Sequence, residues 1–375
     1  MTAGKDGVHA ENSDDSSLGF VYIASGTIKI QAEGDGVDAG AYVQIEDGNI
    51  DVLAGGGSKN GTKESSDSWG AFMGGGKPAI TFSSATSDDN STSMKGIKAT
   101  DSIQISSGNI KINSADDAIH SNTSVIISGG TLEIASGDDA IHADETLTVT
   151  SGKINITECY EGLEALNIGI QGGDIKLIAS DDGLNAAGGT DSSGTTGGRD
   201  GMFGGRGGMG AGTVSSSGGS LDISGGNIYI NASGDGIDSN GTLNISGGYI
   251  VVCGPTQGDT SILDYDVSGV ITGGTFIGMG STSMAQNFSS SSTQECIMVN
   301  VSGSAGTSIK LADSSGNILI SHEAELGFSC VIISHASIAE GETYTLTVGS
   351  SNTTITMDST VYGSSNSGGM GGRFK

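Results

Sequence analysis

The chain has 375 residues, with 43 acidic side chains against 15 basic ones and a formal net charge of −28. That charge excludes a nucleic-acid binder working by phosphate neutralisation, and no apolar run reaches the ~20 residues of a membrane span. Glycine, at 66 residues, far outnumbers the 8 Tyr, 8 Phe, 1 Trp and 2 Pro, a composition of many short strands joined by tight turns.

The first element begins at once. Met1-Thr-Ala-Gly-Lys5 has no apolar secretory stretch, and Lys5-Asp-Gly-Val-His-Ala10 already opens a repeat, so the sequence reads as a mature or truncated form. Glycines that close short turns then recur at Gly26, Gly48, Gly108, Gly130, Gly152, Gly173, Gly226, Gly248 and Gly274, each followed by an alternating apolar strand. From Gly108 to Gly173 the spacings are 22, 22 and 21 residues, and Gly26–Gly48 and Gly226–Gly248 are again 22 apart. A fixed period of this length marks a solenoid, in which each repeat buries its apolar side against its neighbours.

Residues 116–137 show the unit. Ile119 belongs to a short first strand, Val125 and Ile127 face inward from a second, Gly129-Gly130 turns the chain, and Leu132 and Ile134 face inward from a third. Three strands per ~22 residues at ~3.3 Å per residue predict an all-β, right-handed parallel β-helix with coils ~4.8 Å apart. There is no Leu/Asn ladder of a leucine-rich repeat and no calcium-binding nonapeptide.

The helix is expected over 1–285, with Gly/Ser-rich insertions at 54–93 and 187–218. Trp69, Phe72, Met73, Met202 and Phe203 lie in these insertions, and Trp69 is a candidate for stacking on a sugar ring. A C-terminal β region over 286–362 is expected to cap the open end, and 363–375 reads as a disordered tail. Cys159, Cys253, Cys296 and Cys330 show no zinc spacing; Cys296 with Cys330 is one pairing to consider, four free thiols the other reading.

Aligning the first strands of the repeats exposes two polar columns. The residue after the inward aliphatic must point outward, which gives His9, Asp38, Lys98, His120, His142, Glu164, Asn185 and Asp238. At the preceding corner runs an acidic column, Asp6, Asp35, Asp117, Asp139, Glu161, Asp182 and Asp235, interrupted by Lys95 and doubled at Asp116, Asp138 and Asp181. Stacked carboxylates repel by about 1 kcal/mol per close pair even at water-like dielectric, so something must offset them. Corner Asp side chains capping backbone N–H groups is one explanation. The other is Ca²⁺, a hard ion that takes 6–8 oxygens, with Asp116, Asp117, Asp138, Asp139, Glu161, Asp181 and Asp182 as candidate ligands. Lys98, His120, His142, Glu164 and Asn185 are the candidate saccharide contacts; two stacked histidines are too few for a transition metal.

The motifs Ser93-Met-Lys-Gly-Ile-Lys-Ala99, Asp116-Asp-Ala-Ile-His-Ser-Asn122, the run from Ser128 to Asp144, Gly234-Asp-Gly-Ile-Asp238 and the Arg206-Gly-Gly-Met-Gly210 loop together resemble the secreted carbohydrate-binding β-helix family of clostridia and relatives. The resemblance extends over about residues 4–285. It implies a parallel β-helix related to pectate lyases, calcium sites, an extracellular or cell-surface location, and noncatalytic binding of plant cell-wall polysaccharide, with polygalacturonate and cellulose as ligands. An acidic chain would need calcium to bridge its carboxylates to those of polygalacturonate, whereas cellulose needs a flat aromatic surface. One alternative is a calcium-dependent polysaccharide lyase with Lys98 as base, or a hydrolase using Glu164 with Asp139 or Asp182. Another is a surface adhesin or spacer; a monomer is expected in each case.

Overall fold

The computed structural model describes residues 1–63, 93–187, 218–256, 258 and 260–363. Among the described residues nine coils stack as a parallel β-helix, and the expected three-strand unit is present: Ile119–Ser121, Ser124–Ile127 and Thr131–Ser136 make one coil. Each strand pairs in parallel with its equivalent one coil away, as Ile119↔Ile141 and His120↔His142 in the first column, Val125↔Leu147 in the second and Leu132↔Ile154 in the third. The third-column strands form one long sheet; the first and second columns join into another where Ile141–Val149 and Leu163–Ile170 run through the corner unbroken.

The period follows from side-chain alternation and turn chemistry. Ile119, Val125, Ile127, Leu132 and Ile134 are all essentially inaccessible and stack on like residues above and below. Burying each such aliphatic contributes about 1.5–3 kcal/mol, and the ladder repeats it coil after coil. All nine turn glycines have positive φ. Gly130 illustrates the requirement: φ is 88°, and a Cβ there would lie 3.0 Å from the Gly108 carbonyl oxygen in the coil beneath.

After Thr275–Gly280 the pairing changes sense. Cys330–His335 adds antiparallel to that strand, Cys296–Val299 adds antiparallel to Cys330–His335, and Val361–Tyr362 completes the edge. Phe288 packs edge-on against Phe276, and Cys296, Cys330 and Ile332 continue the helix core, so the end of the hydrophobic channel is covered. Antiparallel register sets Cys296 opposite Ser334 and Cys330 opposite Gly280; all four cysteines are buried free thiols, and the Cys296–Cys330 pairing is not made.

A four-stranded antiparallel sheet follows, ordered Ile318–Glu323, Ser308–Asp313, Thr343–Val348, Ser351–Thr356. It builds a second core from Ile309, Leu311, Tyr344 and Leu346 against Val251, Ile277 and Met279. Those last three point outward from the third column. The C-terminal region therefore covers the outer face of the last coils as well as their end.

The first insertion is described as far as residue 63. After Gly55–Gly57 it makes a short turn at Ser58–Asn60, and Asn113 accepts the Ser58 amide proton at 2.7 Å. Lys59 pairs with Glu158 at 2.6 Å and Lys63 with Asp138 at 3.1 Å. This segment therefore climbs from the second coil across the corner that carries the acids. Trp69, Phe72, Met73, Met202, Phe203 and the Arg206 loop lie outside the described residues.

Candidate functional site

Five of the corner acids spend one oxygen on the coil above. Asp6 accepts the Asp35 amide at 3.1 Å, Asp35 the Lys95 amide at 2.7 Å, Asp117 the Asp139 amide at 3.1 Å and Asp182 the Asp235 amide at 2.5 Å; Asp235 accepts from Ser261. The backbone-capping role is thus real, but it runs between coils rather than within one turn. It leaves one oxygen per acid for side-chain chemistry, and what meets that oxygen differs along the stack.

In the lower coils it meets cations. Lys95, 3 % exposed, donates to Asp117 and lies 3.4 Å from Asp116. His120 Nδ1 is 2.8 Å from Asp117 and its Nε2 3.1 Å from Asn122. Burial acts upward on the Asp117 carboxyl, but Lys95 and His120 overcome it and hold the group well below the usual carboxylate range. Asp116, Asp117 and Asp138 cluster with their oxygens within 4.8 Å of one another, and Lys95 and Lys63 sit on that cluster.

One coil higher, His142 stacks on His120 with ring centroids 4.8 Å apart. Its Nδ1 lies 2.6 Å from Glu164 and 3.3 Å from Asp139, and its Nε2 3.0 Å from Asp144. Carboxylates on both ring nitrogens make His142 a two-fold donor. Burial pushes its pKa down, yet the bonds to Asp139, Asp144 and Glu164 carry it well above the ordinary histidine value. Burial also acts upward on Glu164, where His142 reverses it, whereas Asp139, crowded by burial, Glu164 and Asp138, is held well above the carboxylate range. The charge of His142 is thus matched inside a closed group by Glu164, Asp139 and Asp144.

In the upper coils the acids meet one another. Asp182, Asp235 and Asp238 bring carboxylate oxygens within 4.8 Å, and among the described residues no lysine, arginine or histidine pairs with them. Burial and then mutual repulsion raise Asp182 and Asp235 well above the usual range; Asp238, beside Asp264 and Asp266, is pushed up to about 7. Three hard oxygen donors with unrelieved repulsion are the donor chemistry calcium takes.

The other candidates fall between these groups. Glu161 is buried, raised by burial and by Glu164, and accepts from Asn185 Nδ2 at 2.8 Å. Asp181 faces Tyr160, whose hydroxyl it pushes upward together with burial. Lys98 sits in register with Asp38 and His120, but its ammonium turns down to Asp35 at 3.6 Å and Asp38 at 4.0 Å, away from Asp116 and Asp117. Alternation directs the outward column to solvent; instead His120, His142, Glu164 and Asn185 are all under 9 % exposed, packed on one another along the column and bonded to corner acids, Asp117 on His120, Asp139 on His142 and Glu161 on Asn185. Of the expected saccharide contacts, Lys98 alone is partly open, while Trp69 lies outside the described residues.

Sequence reasoning passed over Lys95 and Lys63 as countercharges and left Asp235 and Asp238 out of the ligand set. Lys95 was visible as the one break in the acidic column. Asp235 and Asp238 stand in the two aligned columns, and only their common lack of a cation separates them from the lower acids. For hydrolysis, Asp139 and Glu164 are too closely tied: His142 bridges them, where paired carboxyls need about 5–9.5 Å with substrate or water between.

Among the described residues no helix is long and apolar enough to cross a membrane. Neither the curated proteins nor the solved structures hold a significant match to the chain. Residues 1–140 match the model of a family described as carbohydrate-binding domain-containing protein, a segment that runs through the first four coils to the Asp116–Asp139 corner and supports carbohydrate binding.

Proposed function

We propose that the chain is a noncatalytic, extracellular polysaccharide-binding module whose polar corner engages plant cell-wall polygalacturonate with the help of calcium. The observation that carries this reading is the Asp182–Asp235–Asp238 cluster, which gathers three carboxylates with no countercharge among the described residues. Asp182 comes from the expected ligand set; Asp235 and Asp238 join it, and Asp116, Asp117 and Asp138 fit the ion less well because Lys95 and Lys63 already neutralise them. Calcium held by the upper cluster would relieve its repulsion and present a cationic point to uronate carboxylates, which an acidic surface otherwise repels.

The test is retardation in native gels containing polygalacturonate, with calcium and with chelator. Retardation should strengthen with calcium, and the calcium increment should vanish in Asp235→Asn/Asp238→Asn while persisting in Asp116→Asn. Retardation that calcium leaves unchanged in the wild-type chain would sink the reading.

A further inference from the structure

The C-terminal sheet does more than cap the helix. Where its edge strand Ile318–Glu323 leans against the outer face of the third column, it leaves a groove of about 700 Å³ crossing coils four to eight, walled on one side by His322. This is a different face from the acidic corner. Its floor carries Lys153, Asp174, Lys176, Asn227, Tyr229 and Tyr249. Strand register sets Lys153 opposite Asp174, Lys176 opposite Tyr229 and Asn227 opposite Tyr249.

The charge of this groove runs against that of the chain. Its two acids are already engaged: Glu133 pairs with Lys111 at 3.1 Å and Asp174 accepts from Asn227 at 2.7 Å. Lys153 and Lys176 form no ion pair among the described residues; Lys176 instead lies 5.3 Å from the Tyr229 ring centre. Glu133 is neutralised by Lys111, so Lys153 and Lys176 stand against Asp174 among the lining residues, which leaves the floor with an excess of positive charge in a protein of net charge −28. Tyr249 leaves 43 % of its surface open beside them. An open ring, amides and two ammonium groups suit a stiff, flat, hydroxyl-rich ligand that carries carboxylates, more than they suit a peptide.

We propose that this groove is a second saccharide site, which binds a uronate-bearing oligosaccharide directly through Lys153 and Lys176, with Tyr249 as its stacking surface and without a metal. It is independent of the corner cluster, so either site can fail alone.

The probe is hexagalacturonate titrated in chelator, compared with its methyl-esterified form and with a hexaglutamate peptide. Binding of hexagalacturonate should persist in chelator and weaken as salt is raised. Lys153→Ala/Lys176→Ala should weaken it about tenfold, the combined size of two exposed ion pairs, and Tyr249→Ala should weaken it further. Asp235→Asn/Asp238→Asn should leave it unchanged. Absence of binding in chelator, equal binding of the methyl ester or of hexaglutamate, or indifference to the lysine substitutions would each overturn the proposal; unchanged melting of the variants excludes misfolding as the cause.

Discussion

The acids of coils four and five and those of coils seven and eight come from the same repeat, yet they solve charge repulsion in different ways. Asp116, Asp117 and Asp138 are matched inside the protein by Lys95 and Lys63, and Glu164 beside them by His142. Asp182, Asp235 and Asp238 have no such partner among the described residues, and their carboxyls are driven up instead. A repeated motif thus supplies the same geometry twice. One copy is closed by the protein's own cations, and the other has none among the described residues.

The strongest test of that contrast is to open the closed copy. Lys95→Met leaves buried Asp117 without its ammonium partner and with His120 alone beside it, and should cost about 3 kcal/mol of unfolding free energy, read from urea midpoints. If the comparison is right, added calcium should recover part of the loss in this variant.

The open copy should show itself in pH dependence. Asp238 titrates near 7 in the folded chain, above its unfolded value of about 3.9, so the folded state binds the proton more tightly. Its contribution to stability is therefore full below about pH 4 and is lost as pH rises through 7. In chelator the loss should be on the order of 4 kcal/mol at the limit, less where solvent screens the half-buried group. Asp238→Asn should flatten that slope. A metal-free chain whose stability rises over this interval would contradict the assignment.

Calcium at neutral pH should raise the melting temperature of the wild-type chain, with about 2.7 kcal/mol gained at a hundredfold excess over its Kd. Asp235→Asn/Asp238→Asn should lose that gain. The smallest effect is expected at the rim. Lys59→Ala breaks an exposed pair with Glu158 and should change stability by less than about 1 kcal/mol, since water screens both groups. A cost near that of Lys95→Met would mean that burial is not what separates the two classes of ion pair.

Much of the fold was legible in the chain because it is set locally. Gly130 marks a turn that needs positive φ, Ile119, Val125 and Leu132 follow strand alternation, and a 22-residue spacing puts each above its equivalent. The columns of the site were legible for the same reason: His120 and His142 had to stack once the period was known. Their burial was not. Alternation says which way a side chain leaves the strand, but not that the acid three residues earlier will turn back onto it, as Asp117 does on His120 and Asp139 on His142.

What the sequence by itself determined, then, is the coil, its inward ladders and the alignment of the corner acids, since each depends on neighbours at a constant separation. Tertiary structure alone decided which acids meet a cation and where a groove forms. Lys63 reaches Asp138 only because an insertion climbs across three coils, and His322 overhangs Lys153, Lys176 and Tyr249 only because a non-repeating sheet folds back on the helix. Contacts between a periodic element and an aperiodic one have no period to read; the packing of the two surfaces sets them.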